Sequence, residues 1–425
     1  MSSLKITIWG KTVGYLAWDR IQNRTILELD ADYQNNTINI SPPLINKKIK
    51  IQSSPVQEPI FQGLHPTFAD SLPDYFGNRI FQTWLQQNQI ETNDLNPIEK
   101  LLYIGKRGSG AFDYEPGKEL IHSMETIDFN EIIAISEKII SNKYAISDFL
   151  ENQQALQNIL TIGSSVGGAQ AKILIAIHSE TGKICAGDIL QKDASWEYYI
   201  VKLSHQSDTN WGKEKNTIEY VYYLMAKEAK LTISDSELIE INGNYHFKTK
   251  RFDRMNGEKI HLQTLLAITG FFSKTTAFSY EQFFGIAEQL TLKQSEKEAL
   301  FRQMVFNVAS CNMDDHLKNF SFLMNQKGEW SLAPAYDLTY PFDPYLPRFQ
   351  FHKMTINSKS KNIEHSDLMI VAKKVGIKKG EKIIKEVCDA VSKFNSYVKN
   401  YEISNLAKEV IRTDIELSLK RLRNS

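Results

Sequence analysis

The pattern of hydrophobic and polar positions changes along the chain. Residues 4–40 alternate apolar and polar positions, as in LKITIWGKTVGYLAW, which predicts β-strands, and Gly10-Lys11 suits a tight turn between two of them. An aromatic-rich helical stretch, YFGNRIFQTWLQQ, and a glycine-rich loop, IGKRGSGAFDYEP, follow within residues 41–116. We interpret residues 1–116 as a small β-rich module.

A second group of predicted strands follows a helical stretch, FNEIIAISEKIISNK, whose apolar residues recur at helical spacing. Strand patterns return in residues 171–178 (AKILIAIH) and 196–204 (WEYYIVKLS). A helix is predicted over residues 219–231, and the Asn242-Gly243 turn signal predicts a hairpin over 237–252. The remaining sequence predicts helices, except for one hairpin around the turn NQKG.

The composition is that of an ordinary folded protein, and its 425 residues are enough for two or three domains. Fifty basic and fifty acidic residues balance, so the overall charge favours neither nucleic acid nor a membrane surface as a direct partner. No apolar run approaches the ~18 residues of a spanning helix, and MSSLKITIWGK is not a signal peptide. We expect a cytoplasmic protein. The three scattered cysteines predict neither a disulfide framework nor a zinc site.

The stretch TIGSSVGGAQAK (161–172) is compatible with three kinds of site. A P-loop requires Lys and Ser/Thr directly after its second glycine, but Ala169-Gln170 follows Gly168, which excludes it. Gly163-x-Ser165-x-Gly167 fits a serine-hydrolase elbow, although a strand follows it instead of the required helix. The third possibility is a glycine-rich lid whose backbone amides approach nucleotide phosphates.

A lysine and a glutamate downstream favour the lid. Lys202 lies in the middle of the apolar strand pattern YYIVKLS, where burial is unfavourable unless an anion meets it. In a kinase such a lysine contacts the phosphates and pairs with a glutamate of the next helix. Glu219, at the start of that predicted helix, is the proposed ion-pair partner. A solvent-facing edge lysine and a surface acid at a helix N-terminus are the alternatives.

Asp314-x4-Asn319 has the spacing of the base and the magnesium-binding asparagine in kinase catalytic loops. Pairing FSFLM with WSLAPAYDL around NQKG sets Asn319 nearly opposite Asp337, so that two oxygen ligands point at one Mg2+. Alternatively, Asp314 and Asp315 are turn acids, His316 is a structural imidazole and Asp337 is a turn residue.

These motifs resemble those of the HipA-type serine/threonine kinase toxins of bacterial toxin–antitoxin pairs. The resemblance spans nearly the whole chain through IWGKTVGYL, SLPDYFGNR, IGKRGSGAFDYEP, SSVGGAQAK, IEYVYYLMAKEAKL, KRFDR, MDDHLKN and AYDL. It implies an α+β, protein-kinase-like two-lobed fold. Residues 1–116 would be a β-rich N-terminal accessory module, 117–252 the kinase N-lobe with glycine-rich loop and hinge, and 253–425 a mostly helical C-lobe with the catalytic and metal-binding loops.

The resemblance also implies residue roles. Asp314 would be the catalytic base, Lys202 would bind the phosphates, and Asn319 and Asp337 would bind Mg2+. The further ATP-contacting residues would be Ser165, Val166, Gly167, Gly168, Ala169, Gln170, Lys250, Phe252, Asp253 and His316. Within this set the backbone near Lys250 and Phe252 would bind adenine, and Asp253 would approach the ribose. Ser165 would be autophosphorylated. The resulting phosphoserine, with a charge of about −1.5 to −2, would repel ATP.

The implied function is a Mg2+- and ATP-dependent protein serine/threonine kinase that arrests growth by phosphorylating a translation component. A small helix-turn-helix (HipB-like) antitoxin would neutralise it and bring it to DNA, which the kinase would contact only indirectly. A small-molecule phosphotransferase, a serine hydrolase using Ser165 and a non-enzymatic nucleotide-binding protein remain alternatives.

Three positions depart from the family pattern. HLQTL retains only His261 of a usual His-Gln-Glu-Asp run, Lys230 replaces a glycine that is usual at the end of the glutamate helix, and Asp315 replaces the glycine after the catalytic aspartate.

Overall fold

The computed structural model describes most of the chain, namely residues 3–73, 75–90, 95–117, 128–140, 170–187, 193–204, 210–273, 275–341 and 350–423. The strands are β1 (Ser3–Ile8), β2 (Lys11–Asp19), β3 (Arg24–Leu29), β4 (Ile51–Ser53), β5 (Phe112–Glu115), β6 (Lys172–His178), β7 (Ile184–Ala186), β8 (Trp196–Lys202), β9 (Ser236–Ile241), β10 (Asn244–Lys250), β11 (Arg254–Met255), β12 (Glu258–Lys259), β13 (His261–Thr264), β14 (Ser321–Met324) and β15 (Trp330–Leu332).

The α-helices are α1 (Ala31–Asn35), α2 (Pro66–Ala69), α3 (Tyr75–Gln87), α4 (Pro97–Ile104), α5 (Phe129–Ile140), α6 (Asn210–Glu228), α7 (Leu265–Thr269), α8 (Tyr280–Gln289), α9 (Gln294–Ala309), α10 (His365–Lys374), α11 (Gly380–Val391), α12 (Phe394–Val398) and α13 (Asn405–Arg423). Short 3-10 turns occupy Pro59–Phe61 and Leu317–Asn319. Among the described helices, none is apolar over a run long enough to cross a bilayer.

The first sheet is antiparallel, with strand order β4-β3-β2-β1-β5. The alternating pattern at the N-terminus correctly predicts its strands, but the turn lies one residue earlier than Gly10-Lys11. Trp9 and Gly10 adopt the left-handed backbone that a tight hairpin turn requires, with φ of 49° and 75°. Lys11 is already paired with Ile8. A contact of its side chain stabilises Trp9 in this turn: the indole Nε1 donates to the carbonyl of Lys259 at 2.8 Å.

The second sheet is also antiparallel, with order β7-β6-β8-β10-β9. Its Asn242-Gly243 hairpin turn is confirmed, with φ of 53° and 73° at the two residues. Helices α3 and α5 cover one face of this sheet, where Phe81 and Ile132 pack in one cluster with Ile173 and Val201. Although α3 lies within residues 1–116, its apolar side belongs to the core of the second sheet.

The helix after the second sheet's central strands begins at Asn210, nine residues before the predicted start at residue 219. Its first turns, NWGKEKNT, are polar and contain a glycine, so they lack the apolar repeat that marks a helix in a sequence. Glu219 therefore lies in the middle of α6. Lys230 follows the helix with φ of 59°, a left-handed position that glycine adopts more easily and that explains the usual glycine there.

The rest of the chain is mostly helical and encloses a small sheet of order β13-β14-β15. Helix α9 supplies buried apolar residues to one large core, including Leu300, Phe301, Met304 and Val305. The predicted hairpin around NQKG is present as β14 and β15. Its ladder ends at the pair Phe322 and Leu332, so strand pairing does not itself bring Asn319 opposite Asp337.

A buried histidine lies between the first module and this small sheet. His261 is 0% exposed, and its ring contacts those of Trp9, Phe112 and Trp330 at centroid distances of 6.4, 4.5 and 5.9 Å. Within the described residues neither ring nitrogen has a hydrogen-bond partner. Burial therefore lowers the pKa of His261 from 6.5 to about 3.

This histidine predicts an acid-dependent loss of stability. Between pH 6.5 and 3 the unfolded chain binds a proton at residue 261 that the folded chain does not, so the free energy of unfolding falls as the pH falls. We expect His261→Phe to reduce that slope by about 0.7 kcal/mol per pH unit near pH 6.5 and by about 1.4 kcal/mol per pH unit well below it. Urea unfolding of both proteins at pH 7, 6 and 5 measures the slopes, and equal slopes would show that His261 is protonated in the folded state.

Candidate functional site: a buried charge cluster beside an acidic loop

Two lysines face each other within the second sheet. In the antiparallel pair of β6 and β8, Lys172 lies opposite Lys202, and each is only 7% exposed. Like charges directly opposite one another destabilise a sheet unless anions compensate for them. Carboxylates from α6 and from the loop after β15 supply this compensation.

Lys202 bridges two carboxylates from distant parts of the chain. Its Nζ donates to Oε1 of Glu219 at 2.5 Å and also to Oδ1 of Asp337. Nζ of Lys172 lies 3.9 Å from Oδ2 of Asp337. We refer to Lys172, Lys202, Glu219 and Asp337 as the charge cluster. It places two basic and two acidic groups together in a largely buried position.

Burial disfavours every charge in this cluster, but ion pairing outweighs burial at two of its members. Desolvation acts to lower the pKa of Lys202, yet Asp337 and Glu219 raise it above its ordinary value. Desolvation acts to raise the pKa of Asp337, yet Lys172 and Lys202 hold it well below its usual range. Lys202 is therefore a cation and Asp337 an anion at neutral pH. At Glu219 burial prevails and raises the pKa.

Asp337 occupies a left-handed backbone position, with φ of 52°. Few non-glycine residues adopt this conformation, and aspartate is among those that do. The preceding residues fix its loop: the N–H of Ala335 donates to the carbonyl of Thr232 at 2.8 Å, and the hydroxyl of Tyr336 lies 2.7 Å from the carbonyl of Lys318, to which it donates. The loop of Asp337 is thus attached both to the segment before β9 and to the loop after α9.

Asp314 and Asn319 belong to that loop after α9, which we call the acidic loop (residues 310–320). Nδ2 of Asn319 donates to the main-chain carbonyl of Asp314 at 2.9 Å. Burial raises the pKa of Asp314, while His316 and Lys353 act to lower it and Asp337 acts to raise it. Nε2 of His316 is 3.9 Å from Oδ2 of Asp314. Together with the hydrogen bond from Tyr336 to the carbonyl of Lys318, this places the acidic loop next to the loop that carries Asp337.

Asp315 has a different environment from its neighbour Asp314. It is 1% exposed, and its carboxylate accepts from the hydroxyl of Tyr280 at 2.9 Å and from the N–H of Lys353 at 2.7 Å. The side chain of Asp314, in contrast, is 37% exposed. Of the two adjacent acids, Asp314 is partly exposed beside His316 and Asp315 is part of the interior.

The predicted hinge residues Lys250 and Phe252 lie at the end of β10. Nζ of Lys250 donates to Oε1 of Glu197 at 2.5 Å, and its main-chain N–H donates to the carbonyl of Asp235 at 2.9 Å. The half-buried ring of Phe252 is 5.8 Å from that of Tyr336. Phe252 thus lies beside the loop that carries Asp337.

The carboxylate of Asp253 is occupied by other groups of the protein. Arg251 donates to it through Nε and Nη2, both at 2.8 Å. Nη1 of Arg254 donates at 2.9 Å, and the N–H of Gly110, from the first module, donates at 2.8 Å. Burial acts to raise the pKa of Asp253, but the two arginines hold it well below its usual range. The arrangement joins the hinge to the first module and lends no support to a contact between Asp253 and a ribose.

Most of the glycine-rich stretch, namely Ser165, Val166, Gly167, Gly168 and Ala169, lies outside the described residues. Gln170 is described, and its Nε2 donates to the carbonyl of Leu203 at 3.0 Å and to Oδ1 of Asn216 at 2.9 Å. Its side chain thus joins the end of β8 to α6. The stretch enters β6 two residues later, at Lys172 of the charge cluster.

Two residues of this region were missed by the sequence analysis. The sequence indicates Lys172 only weakly as a site residue, through its position as the first residue of an otherwise apolar strand. The buried Asn216 donates through Nδ2 to the carbonyl of Lys202 at 3.1 Å and to Oγ of Ser204 at 2.7 Å. It has no sequence signal, because a single asparagine in a polar helical turn is normally a surface residue.

Comparisons with known proteins match both parts of the chain. The family model of the HipA N-terminal domain matches residues 4–115, and that of the HipA-like C-terminal domain matches residues 164–394. A solved structure with the same fold is that of the Shewanella oneidensis MR-1 toxin–antitoxin system, a complex of HipA, HipB and operator DNA. It has 15% sequence identity and a TM-score of 0.64, with 98% of this chain and 95% of that chain covered.

The proinflammatory kinase CtkA of Helicobacter pylori is similar over a smaller part, with 14% identity, a TM-score of 0.38, and 53% of this chain and 87% of that chain covered. The HipA-like C-terminal domain alone accounts for more than half of the 425 residues, and the HipA N-terminal domain precedes it. The chain therefore belongs to the HipA family.

Proposed function

We propose that this protein is a Mg2+- and ATP-dependent kinase that transfers the γ-phosphoryl group to serine or threonine hydroxyls of proteins. The observation that carries the proposal is the bridging of Glu219 and Asp337 by Lys202, beside the loop of Asp314. A lysine that pairs with a helix glutamate next to a metal-binding aspartate is the arrangement by which kinases hold ATP phosphates.

In this proposal Lys202 contacts the ATP phosphates while Glu219 orients it. Lys172, opposite Lys202 on β6, adds a second positive charge toward the same phosphates. In this role the ion pair of Lys202 with Asp337 would have to open, because Lys202 would contact the phosphates and Asp337 would contact the metal.

Asp337 and Asn319 are the residues that we propose as ligands of a magnesium ion. Mg2+ prefers carboxylate and amide oxygens, and Asp337 is held as a carboxylate by its lysine neighbours. Asn319 uses its nitrogen to donate to the carbonyl of Asp314, and its other terminal atom is an oxygen. Bound Mg2+ would neutralise charge on the β- and γ-phosphates. Asp337 and Asn319 would hold it, and Asp314 would accept the proton of the acceptor hydroxyl.

We further propose that adenine lies against the hinge near Lys250 and Phe252, beneath the glycine-rich stretch of residues 165–170, and that His316 lines the phosphate end of the site. Asp253 is left out of this set because two arginines and a backbone N–H already occupy its carboxylate.

The family relationship supports a role as a growth-arresting toxin that phosphorylates a component of translation. The similar Shewanella protein is in a complex with HipB and operator DNA. We propose by analogy that a small helix-turn-helix antitoxin binds this chain and brings it to DNA. The balanced charge of the chain, with fifty basic and fifty acidic residues, is consistent with a DNA-binding surface on the partner.

Asp314→Asn should reduce the rate of phosphoryl transfer by about 10²–10⁴-fold, because a positioned base contributes on that scale. Incorporation of 32P from [γ-32P]ATP into protein, measured as an initial rate, tests this. Asp389→Asn is the matched control, since Asp389 lies on the exposed surface of α11 in an ion pair with Lys385, and its rate should equal that of the wild type. A wild-type rate in Asp314→Asn would mean that Asp314 is not the base.

Self-labelling at Ser165 should distinguish a protein kinase from a small-molecule phosphotransferase. Incubation with [γ-32P]ATP followed by peptide mapping should locate the label at Ser165 and lose it in Ser165→Ala, with Ser164→Ala as the adjacent control. The phosphorylated form should bind ATP more weakly, because the added charge of about −1.5 to −2 repels the phosphates. Labelling that persists in Ser165→Ala would assign the modification to another residue.

Binding of the purified chain to duplex DNA should be weak without the antitoxin, since the chain has no net charge to attract phosphates. A fluorescence anisotropy titration at physiological salt, with and without the co-expressed partner, measures this difference. Tight binding by the chain alone would contradict an indirect mode of DNA association.

A further inference from the structure

A group of buried polar contacts that the proposed transfer chemistry does not use surrounds Phe252 at the hinge. Its charged members are Arg251, Asp253 and Arg254, which are all buried. Charges in such positions are unfavourable unless each one is paired and hydrogen-bonded. We refer to these three residues and Gly110, which contacts them from the first module, as the hinge junction.

Arg251 fixes the hinge to the second sheet. Its N–H donates to the carbonyl of Tyr198 on β8 at 2.8 Å. Its Nη1 donates to the carbonyl of Gly187, directly after β7, at 3.2 Å. The remaining donors of its guanidinium group bind the carboxylate of Asp253. The residue before Phe252 therefore belongs to the framework of the second sheet.

Arg254 fixes the hinge to the first module. Its Nη2 donates to the carbonyl of Gly108 at 2.7 Å, and its Nη1 donates to that of Gly110 at 2.9 Å. In the opposite direction, the N–H of Gly110 donates to Oδ2 of Asp253 at 2.8 Å, and Nη1 of Arg254 donates to the same oxygen. Asp253 is thus the centre of the junction, where donors from the second sheet, from the hinge itself and from the first module meet on one carboxylate.

Position 110 requires a glycine for two reasons. Its φ is 75°, a backbone conformation that other L-residues seldom adopt. A Cβ at this position would also lie 2.8 Å from the backbone nitrogen of Leu262 on β13 and 3.1 Å from its carbonyl oxygen. The loop of the first module therefore lies in close contact with both the hinge and β13, and a displacement of this loop would carry the N–H of Gly110 away from Asp253.

Phe252 lies between the fixed residues Arg251 and Asp253. In the part of the chain that the structure describes, neither its N–H nor its carbonyl makes a hydrogen bond. Backbone groups without a partner seek one, and the polar edge of adenine offers both a donor and an acceptor. The direction of this N–H and carbonyl depends on the residues on either side, because the backbone has only two soft dihedral angles per residue.

We propose that Asp253 is a positioning residue through which the first module holds the backbone of Phe252 in the position where it binds adenine. The inference rests on the proposed function, which takes the hinge as the adenine site, and it gives the first module a part in nucleotide affinity. A hinge that is held in advance in its binding conformation loses less freedom when ATP binds. A disturbed junction therefore weakens the binding of ATP but leaves the transfer step unchanged, because the adenine contacts are the same in the ground state and the transition state.

Two substitutions disturb the junction from opposite sides. Gly110→Ala acts from the first module, because its Cβ would collide with the backbone of Leu262 and displace the N–H that Asp253 accepts. Asp253→Asn acts from the hinge, because it leaves two buried arginines facing a neutral amide. Gly10→Ala is the matched control: Gly10 also lies in the first module with a φ of 75°, but its Cβ would have no atom of the described residues within 4 Å.

The experiment uses the full-length chain in the presence of Mg2+. Equilibrium dialysis with [α-32P]ATP measures the Kd, initial rates over a range of [γ-32P]ATP concentrations give the maximal rate of 32P incorporation into protein, and urea unfolding is recorded for each variant. We expect Gly110→Ala and Asp253→Asn each to raise the Kd by about 5- to 20-fold, the scale of one or two weakened hydrogen bonds. Gly110→Ala should keep the wild-type maximal rate. Gly10→Ala should lose stability, because alanine is strained at this φ, and keep the wild-type Kd.

The double variant Gly110→Ala/Asp253→Asn should bind ATP no more weakly than the weaker of the two single variants, because both changes disturb one junction. A wild-type Kd in Gly110→Ala would overturn the inference, and a loss confined to Asp253→Asn would indicate a direct contact between Asp253 and the ribose instead. An equal rise of the Kd in Gly10→Ala would also overturn it, because any strain in the first module would then have this effect.

The failure of this inference and the failure of the proposed function give different results. Gly110→Ala tests the inference even if Asp253→Asn fails to fold. A wild-type chain that binds ATP but transfers no phosphoryl group would overturn the proposed function alone, because the Kd values still test the junction. A wild-type chain that does not bind ATP would overturn both.

Discussion

The charge cluster is the interaction on which the relation between the second sheet and the helical part depends. Lys202 lies on the sheet, Glu219 on α6 and Asp337 on the loop after β15. Each charge would be unfavourable in its buried position without the others, because removing one partner of a buried ion pair costs about 3–5 kcal/mol. The cluster therefore joins three elements at one point, and the loop of Asp337 is hydrogen-bonded to the acidic loop through Tyr336.

A second set of polar contacts joins the first module to the hinge and to the segment that follows it. Gly110 donates to Asp253, and Asp70 accepts from the N–H and hydroxyl of Thr264 at 2.6 and 2.7 Å. Thr264 caps α7 and precedes it directly. The first module is thus attached both to the hinge and to the small sheet, whose strand β14 directly follows the acidic loop.

Two pairs of similar residues in this protein lie in different environments. Asp314 and Asp315 are adjacent, yet one is partly exposed beside the charge cluster and the other is enclosed by hydrogen-bond donors. Likewise Asp337 and Asp253 are both held as anions by two basic residues. Asp337 is paired with two lysines and its side chain is 26% exposed, whereas Asp253 is enclosed by arginines and a backbone N–H, and its side chain is only 6% exposed.

By itself, the sequence determines the local elements and the family of this protein. The alternation of the N-terminal strands, the Asn242-Gly243 turn and helix Tyr75–Gln87 all depend on residues close together in the chain, and such periodic signals can be read directly. It also identifies Lys202, Asp314, Asn319 and Asp337 as candidates through their types and spacing. It is less informative where a helix begins with polar residues, as α6 does.

Only the tertiary structure decides which of these residues meet. Lys172 lies opposite Lys202 because of the register of β6 and β8, and Asp337 reaches Lys202 across 135 positions of sequence. The assignment of Asp253 to a structural network and of Asp315 to the hydrogen-bonded interior also requires coordinates. The physical reason is that periodicity and spacing report on neighbours along the chain, whereas a partner far away in sequence is selected by packing and by the need to compensate every buried charge.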